Sequence, residues 1–342
     1  MDTMSRRTLP TTKDVARLAG VSAATVSYVL NGRRQRSNTI SAETRQRVLD
    51  AVTTLGYVPN QIGRSLRLQR TERVSLILPR IGVPVNDVLI RDIQRVADQH
   101  GYTVMISVVD TPERERHMLN QLKRRLADGA IIVHGTWAEE DFAELVQAGL
   151  PLVVQRNHVT AEGFDVVQTT EAETCYEAVS YLLCKGHRRI AFLGHFENLP
   201  SRLEHYDRFT SYLQALKDHN IAIDERLICA GATTRNDAYQ SALDLLRLQE
   251  PPSAIFAASD IAAVSAIWAA HSIGLRIPED LALIGAGNIP EGEITDPPIT
   301  TVGPADLDFT AIADLLFSRL ANPEQEGRVY QLQWQLILRA SA

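Results

Sequence analysis

The sequence predicts an α/β protein: an N-terminal three-helix, helix-turn-helix headpiece followed by a two-lobed body of parallel sheets flanked by helices. Three observations carry this. Within the first sixty residues, two short helical patterns are separated by a glycine turn. From Val74 onward, short apolar strands alternate with amphipathic helices, the pattern of a parallel sheet covered on both faces. Charge is also unevenly divided. Residues 1–70 hold one Lys and eleven Arg against four acids, a surplus of eight positive charges, so the rest of a chain of net charge −6 carries −14. A compact basic end on an acidic body is the electrostatic footprint of nucleic-acid binding.

Length and composition bound the rest. A chain of 342 residues fits two or three domains, and 45% hydrophobic with 22% charged residues is ordinary globular composition. No stretch approaches the roughly 18 consecutive apolar residues of a membrane helix. The start, Met1 to Pro10, lacks an apolar secretory segment. Cys175, Cys184 and Cys229 form neither a disulfide framework nor a CxxC pair, as expected of buried thiols in a reducing cytoplasm. No metal and no cofactor is expected.

In the headpiece, Thr12 to Ala19 reads as a helix with Val15, Ala16, Leu18 and Ala19 on its apolar side. Gly20 and Val21 turn the chain. Ser22 is placed to cap a second helix, Ala23 to Leu30, in which Val26, Val29 and Leu30 recur at helical spacing. Ser41 opens a third helix buried along Val48, Ala51, Val52 and Leu55, and Gly56 ends it.

In the body, strands are predicted over Val74–Leu78, Tyr102–Val109, Ala130–Val133 and Leu152–Gln155. The helices between them are Asp87–His100, Pro112–Ala127 and Glu140–Ala148. The series restarts with helix Glu173–Cys184, strand Ile190–Leu193 and helix Arg208–His219. Strands Leu227–Ala230, Ala254–Ala257 and Leu281–Ile284 follow, separated by helices Asp237–Leu246 and Ile261–Ser272. Val329–Leu338 closes the chain as a strand-like segment without a heptad tail, which gives no sign of a tetramer. Two such sets form two lobes, and ligands of open parallel sheets bind beyond the carboxyl ends of the strands.

The order of residues then resembles the lactose-repressor (LacI) family along nearly the whole chain. The resemblance rests on the run Thr12 to Ser22 and on Thr25-Val26-Ser27, Val29-Leu30-Asn31-Gly32 and Leu55-Gly56-Tyr57-Val58-Pro59-Asn60. Further on it rests on Gly186 to Gly194, Pro252 to Ala257 and Pro297 to Val302. It implies a headpiece (1–58), a hinge helix or linker (59–71) and a periplasmic-binding-protein-like body (72–342). Within the body it implies an N-lobe of about 72–167 plus 303–327 and a C-lobe of about 168–302 plus 328–342.

It also implies a homodimeric, sequence-specific regulator, most often a repressor in this family, binding a pseudo-palindromic double-stranded operator. Ala23, Ala24 and Tyr28 would face the bases, and Thr12, Ser22, Thr25, Ser27, Asn31 and Tyr57 the backbone. In the hinge, Leu66 would wedge into the minor groove between Asn60 and Arg64.

Two headpiece departures are informative. Many relatives have Arg where Tyr28 stands. One hydroxyl cannot grip guanine O6 and N7 as a guanidinium does, so a different base pair is expected there. The loop 33–39 is about four residues longer than usual, and its Arg33, Arg34 and Arg36 are expected on phosphates. In the hinge, Gly63 replaces the usual Ala, which predicts folding only on DNA.

For the cleft, Trp137, Arg156, Arg208, Ser259, Asp260 and Asn288 are the candidate effector residues, Arg208 by its match to the family's ligand-holding arginine. The aspartates usual after strand Leu281–Ile284 are replaced by Ala286-Gly287-Asn288, and the usual Asp-Asn before the next helix is Thr170-Glu171. These losses count against a simple neutral sugar; a ligand with an anionic group fits them, as does a pocket that no longer binds anything. A small-molecule effector, a sugar or an anionic metabolite, is the favoured expectation. An enzyme is not expected, since the sequence holds no nucleophile elbow, P-loop or HExxH. A solute-binding receptor without an operator is the alternative reading; it would need an export signal and no basic headpiece.

Overall fold

The computed structural model describes residues 10–30, 40–58, 69–135, 137–194, 207–229, 231 and 234–342. The chain divides into two compact units, Met1–Thr71 and Glu72–Ala342.

The first unit contains α1 (Thr12–Ala19), α2 (Ala23–Leu30) and α3 (Ala42–Leu55). Its core is Val15, Ala16, Ala19, Val26, Val29, Val48, Ala51 and Tyr57, so every helix contributes one apolar stripe. Leu18, predicted on the apolar side of α1, is instead 54% exposed. Ala16 and Ala19 already fill the space between helices, and Leu18 falls off their face. The ends are closed chemically. Thr11 and Asp14 form a reciprocal capping box at α1, and Ser41 accepts from Thr44 N at α3. Gly20 takes the left-handed conformation (φ 65°) between α1 and α2, the backbone on which the helix-turn-helix depends.

The second unit holds two six-stranded sheets. Along the chain come β1 (Arg73–Leu78), α4 (Pro84–His100), β2 (Thr103–Val108), α5 (Pro112–Lys123), β3 (Gly129–Val133), α6 (Glu139–Gln147), β4 (Leu152–Gln155) and β5 (Asp165–Thr169). Then follow α7 (Glu171–Cys184), β6 (Ile190–Leu193), α8 (Asp207–Asp218), β7 (Ile228–Cys229), α9 (Arg235–Leu246), β8 (Ala254–Ala257), α10 (Asp260–Ser272) and β9 (Ala282–Ala286). The chain ends with α11 (Glu291–Ile294), β10 (Thr300–Gly303), α12 (Thr310–Ala321), β11 (Val329–Leu332) and β12 (Gln335–Ile337).

The N-lobe sheet runs β11-β5-β4-β3-β1-β2 and is wholly parallel. The C-lobe sheet runs β12-β10-β9-β8-β6-β7, parallel except for β12, which pairs antiparallel with β10. Central strands such as β3 and β8 are buried throughout, as strands covered on both faces must be.

The chain passes between lobes three times: from β5 to α7, from β10 to α12, and from β11 to β12. The last crossing corrects the expected continuous strand Val329–Leu338 and the placement of residues from 328 onward in the C-lobe. Val329–Leu332 pairs in parallel with Val166–Thr169 of the N-lobe, and only Gln335–Ile337 joins the C-lobe. The cause is an ionic anchor. Arg328 donates from Nε and Nη2 to Asp165 at 3.0 and 2.9 Å, which holds the chain against β5. Asp165 itself is fully buried beside Arg319, whose Nη2 lies 2.8 Å from it.

Candidate DNA-reading helix and ligand cleft

In the headpiece the second helix shows two unlike faces. Val26 and Val29 are buried, whereas Ser22, Ala23 and Ala24 are exposed at its start and Thr25, Ser27 and Tyr28 are half-buried. Ser22 Oγ accepts from Thr25 N at 3.1 Å and lies 2.9 Å from Thr25 Oγ1. The serine therefore caps the helix, and its exposed hydroxyl stands at the positive end of the helix, where an anion is favoured. Thr12 and Tyr57, both expected at the backbone, meet each other: their hydroxyls are 2.7 Å apart and the Tyr57 ring belongs to the core. Asn31, Arg33, Arg34, Arg36, Asn60, Arg64 and Leu66 lie outside the described residues, as do the 33–39 loop and Gly63.

In the body, polar side chains converge from the carboxyl ends of strands in both lobes. His134 follows β3 with φ 57°, and Arg156 and Asn157 follow β4. Glu171 opens α7, and Asp207 with Arg208 opens α8. Arg208 donates from Nε to Glu171 Oε1 and from Nη1 to the Ala258 carbonyl. Its guanidinium also sits 5.3 Å from the centroid of the Trp334 ring, within cation–π range. Asn157 Nδ2 donates to Asp207 Oδ2 at 2.6 Å, which ties the N-lobe to the C-lobe.

His134 is open to water, yet protein closes round it on enough sides that desolvation lowers its pKa. Glu171 and Asp207 oppose that shift while Arg208 and Arg156 add to it.

The cleft contains only part of the expected set. Arg208 stands among the converging polar groups, and so does Arg156, whose Nη1 donates to the Trp137 carbonyl. Ser259 is half-buried and spends its hydroxyl on the Ala262 N–H, capping α10. Three expectations are corrected. Trp137 is 2% exposed and packed in the N-lobe core, so it offers no stacking face. The Asp260 carboxylate is 1% exposed and accepts from Thr301 Oγ1 at 2.6 Å and Ile289 N at 2.9 Å. Burial raises its pKa, with those hydrogen bonds opposing; it braces the loop after β9. Asn288 is buried too, donating to the Pro304 and Ala305 carbonyls and accepting from Arg339. It fastens the second crossing between lobes.

Sequence reasoning missed Glu171, His134, Asp207 and Trp334. Glu171 was visible as a departure but read as a loss. Trp334 lies in the crossing between β11 and β12, where no periodicity marks it. Its backbone N–H donates to Thr170 Oγ1 at 2.8 Å, joining two crossings.

Comparison with known proteins agrees with this architecture. Residues 11–60 match the model of bacterial regulatory proteins of the lacI family, and residues 179–342 match a periplasmic binding protein-like domain. The HTH-type transcriptional repressor CytR of Escherichia coli K12 is 32% identical over 344 residues, covering 100% of this chain and 98% of CytR. Among solved structures, the transcriptional regulator CelR in complex with cellobiose is 26% identical, with a TM-score of 0.67 over 97% of this chain and 100% of CelR. The lac repressor dimer bound to operator shares the fold, with a TM-score of 0.78 at 23% identity over 98% and 99% of the two chains. A basic helix-turn-helix unit, a two-lobed body and likeness to CytR over the full length converge: the chain belongs to the LacI family of bacterial transcription regulators.

Proposed function

We propose that this DNA-binding regulator is a repressor that meets a pseudo-palindromic operator as a homodimer and is controlled by a small molecule in the cleft between its lobes. The observation that carries the reading is the division of α2. Its valines are committed to the core, while Ser22, Ala23 and Ala24 stand exposed at the end that enters the major groove in this motif. Two-fold symmetry follows from the need to meet two half-sites at once. The cleft supplies the control, because groups of both lobes meet there and a ligand that binds one lobe angle better shifts the equilibrium towards it. A CytR relative named as a repressor and a CelR relative holding cellobiose support both parts. Such a regulator works beside the chromosome, in the cytoplasm.

The test is selection of bound duplexes from a random pool at near-physiological salt, followed by sequencing. The expected result is a palindrome with half-sites about one helical turn apart. Binding without enrichment, fading as salt rises, would reduce the headpiece to a basic arm on a solute-binding protein.

A further inference from the structure

The ion pair that ties up Arg208 bears on what the cleft can hold. Arg208 is the cleft guanidinium placed to grip a carboxylate or phosphate, a geometry in which its forked donors excel. In this chain that position is already taken by Glu171 Oε1. Neither partner is a freely hydrated surface group: the side chains are 14% and 9% exposed. The guanidinium is further pinned by the Ala258 carbonyl and by the Trp334 ring at 5.3 Å. Among the described residues, the charges that act on His134 are two of each sign. Arg156 and Arg208 face Glu171 and Asp207, and all four act on His134. An anion entering here would displace a buried carboxylate from its partner and meet a second one at Asp207.

We propose that Glu171 is a specificity-determining residue that sets the charge selectivity of the cleft. It neutralises Arg208, so the cleft accepts uncharged, hydroxyl-bearing ligands and refuses carboxylates and phosphates. This rests on the cleft being the ligand site. It decides between the two ligand classes that the sequence left open. It also accounts for a departure that looked like a loss: the residue holds no ligand itself but dictates what Arg208 can hold.

The experiment is calorimetric titration of the full-length protein with inorganic phosphate, D-ribose 5-phosphate and its uncharged match D-ribose. It compares wild type, Glu171→Gln, Glu171→Ala and the double variant Glu171→Gln/Arg208→Gln. Circular dichroism and melting temperature establish which variants fold. In Glu171→Gln, phosphate and ribose 5-phosphate are expected to bind at least about tenfold tighter than in wild type, the order expected of a charge-assisted hydrogen bond. The gain should disappear in the double variant, which separates the cleft from the basic headpiece.

No gain in a folded Glu171→Gln or Glu171→Ala protein overturns the proposal. So does wild-type preference for ribose 5-phosphate over ribose, a result that stands even if both single variants misfold. The regulator reading is judged separately by operator selection. Failure to select an operator, with the charge switch intact, would sink that reading and leave this one standing.

Discussion

Asp165 shows how much one buried residue can decide. Burial by itself would push its pKa up, but hydrogen bonds from Arg319 and Arg328 outweigh this and hold it at about 2. Arg319, itself 1% exposed, also donates to the carbonyls of Gly163, Gln325 and Glu326, so its guanidinium leaves no donor pointing into apolar space. Removing Arg319 leaves Asp165 paired with Arg328 but takes the donor from the Gly163, Gln325 and Glu326 carbonyls and two hydrogen bonds from Asp165. Arg319→Met is therefore expected to destabilise the body by about 1–3 kcal/mol in urea unfolding; a change within experimental error would remove the network from the account.

The sign of the pH effect follows from the depressed pKa. The Asp165 contribution is present above its unfolded value, near pH 4, and is lost as pH falls towards 2. Asp165→Asn should lose stability at pH 7 and show a shallower decline than wild type between pH 5 and 2.5. In the headpiece, Tyr28→Arg is expected to change the preferred base pair at one position of each half-site. The discrimination gained should be about 1–3 kcal/mol, read from competition among single-base operator variants.

Among the elements, α1 and α2 are joined at a point where backbone conformation matters more than packing. Gly20 has φ 65°, and a Cβ built there would meet nothing within 4 Å. Gly20→Ala should therefore cost about 1 kcal/mol through the left-handed backbone alone, with no clash to repair. That predicts a weaker operator-bound fraction with unchanged base preference. A changed preference would mean that the turn also reads sequence. Ser22→Ala should likewise remove about 1 kcal/mol of capping.

The elements also show where sequence patterning stops. Strands β5 and β10 and helix α12 escaped prediction. β5 and β10 (Asp165–Thr169 and Thr300–Gly303) fall outside the regular strand–helix alternation that revealed equally short strands such as β6 and β8. Both lie where the chain leaves one lobe for the other. The headpiece helices, by contrast, appear at the predicted residues because caps, turn and apolar stripe all agree locally.

At the scale of the whole molecule, function is a coupling between two sites, and coupling of this kind is typically about 1–3 kcal/mol and reciprocal. Any ligand that weakens operator binding should lose affinity by the same factor when operator is present, which paired titrations with and without operator check. The basic end adds a salt term. Replacing Arg33, Arg34 and Arg36 by Gln should flatten the slope of log affinity against log salt by roughly one for each phosphate contact removed. An unchanged slope would take the loop out of the interface.

The sequence by itself determined the family, the headpiece helices and most of the strand–helix alternation. Each of these is written in residues that are neighbours in the chain or recur with a fixed period. Tertiary structure alone decided which polar groups face the cleft and which face one another. Trp137 is packed in the N-lobe core, whereas Trp334, at a crossing between lobes, stands against Arg208. Asp260 is withdrawn by Thr301 and Arg208 is claimed by Glu171, partners 41 and 37 residues away. A buried polar group must find its hydrogen bond wherever folding brings a partner, and no local pattern records that choice.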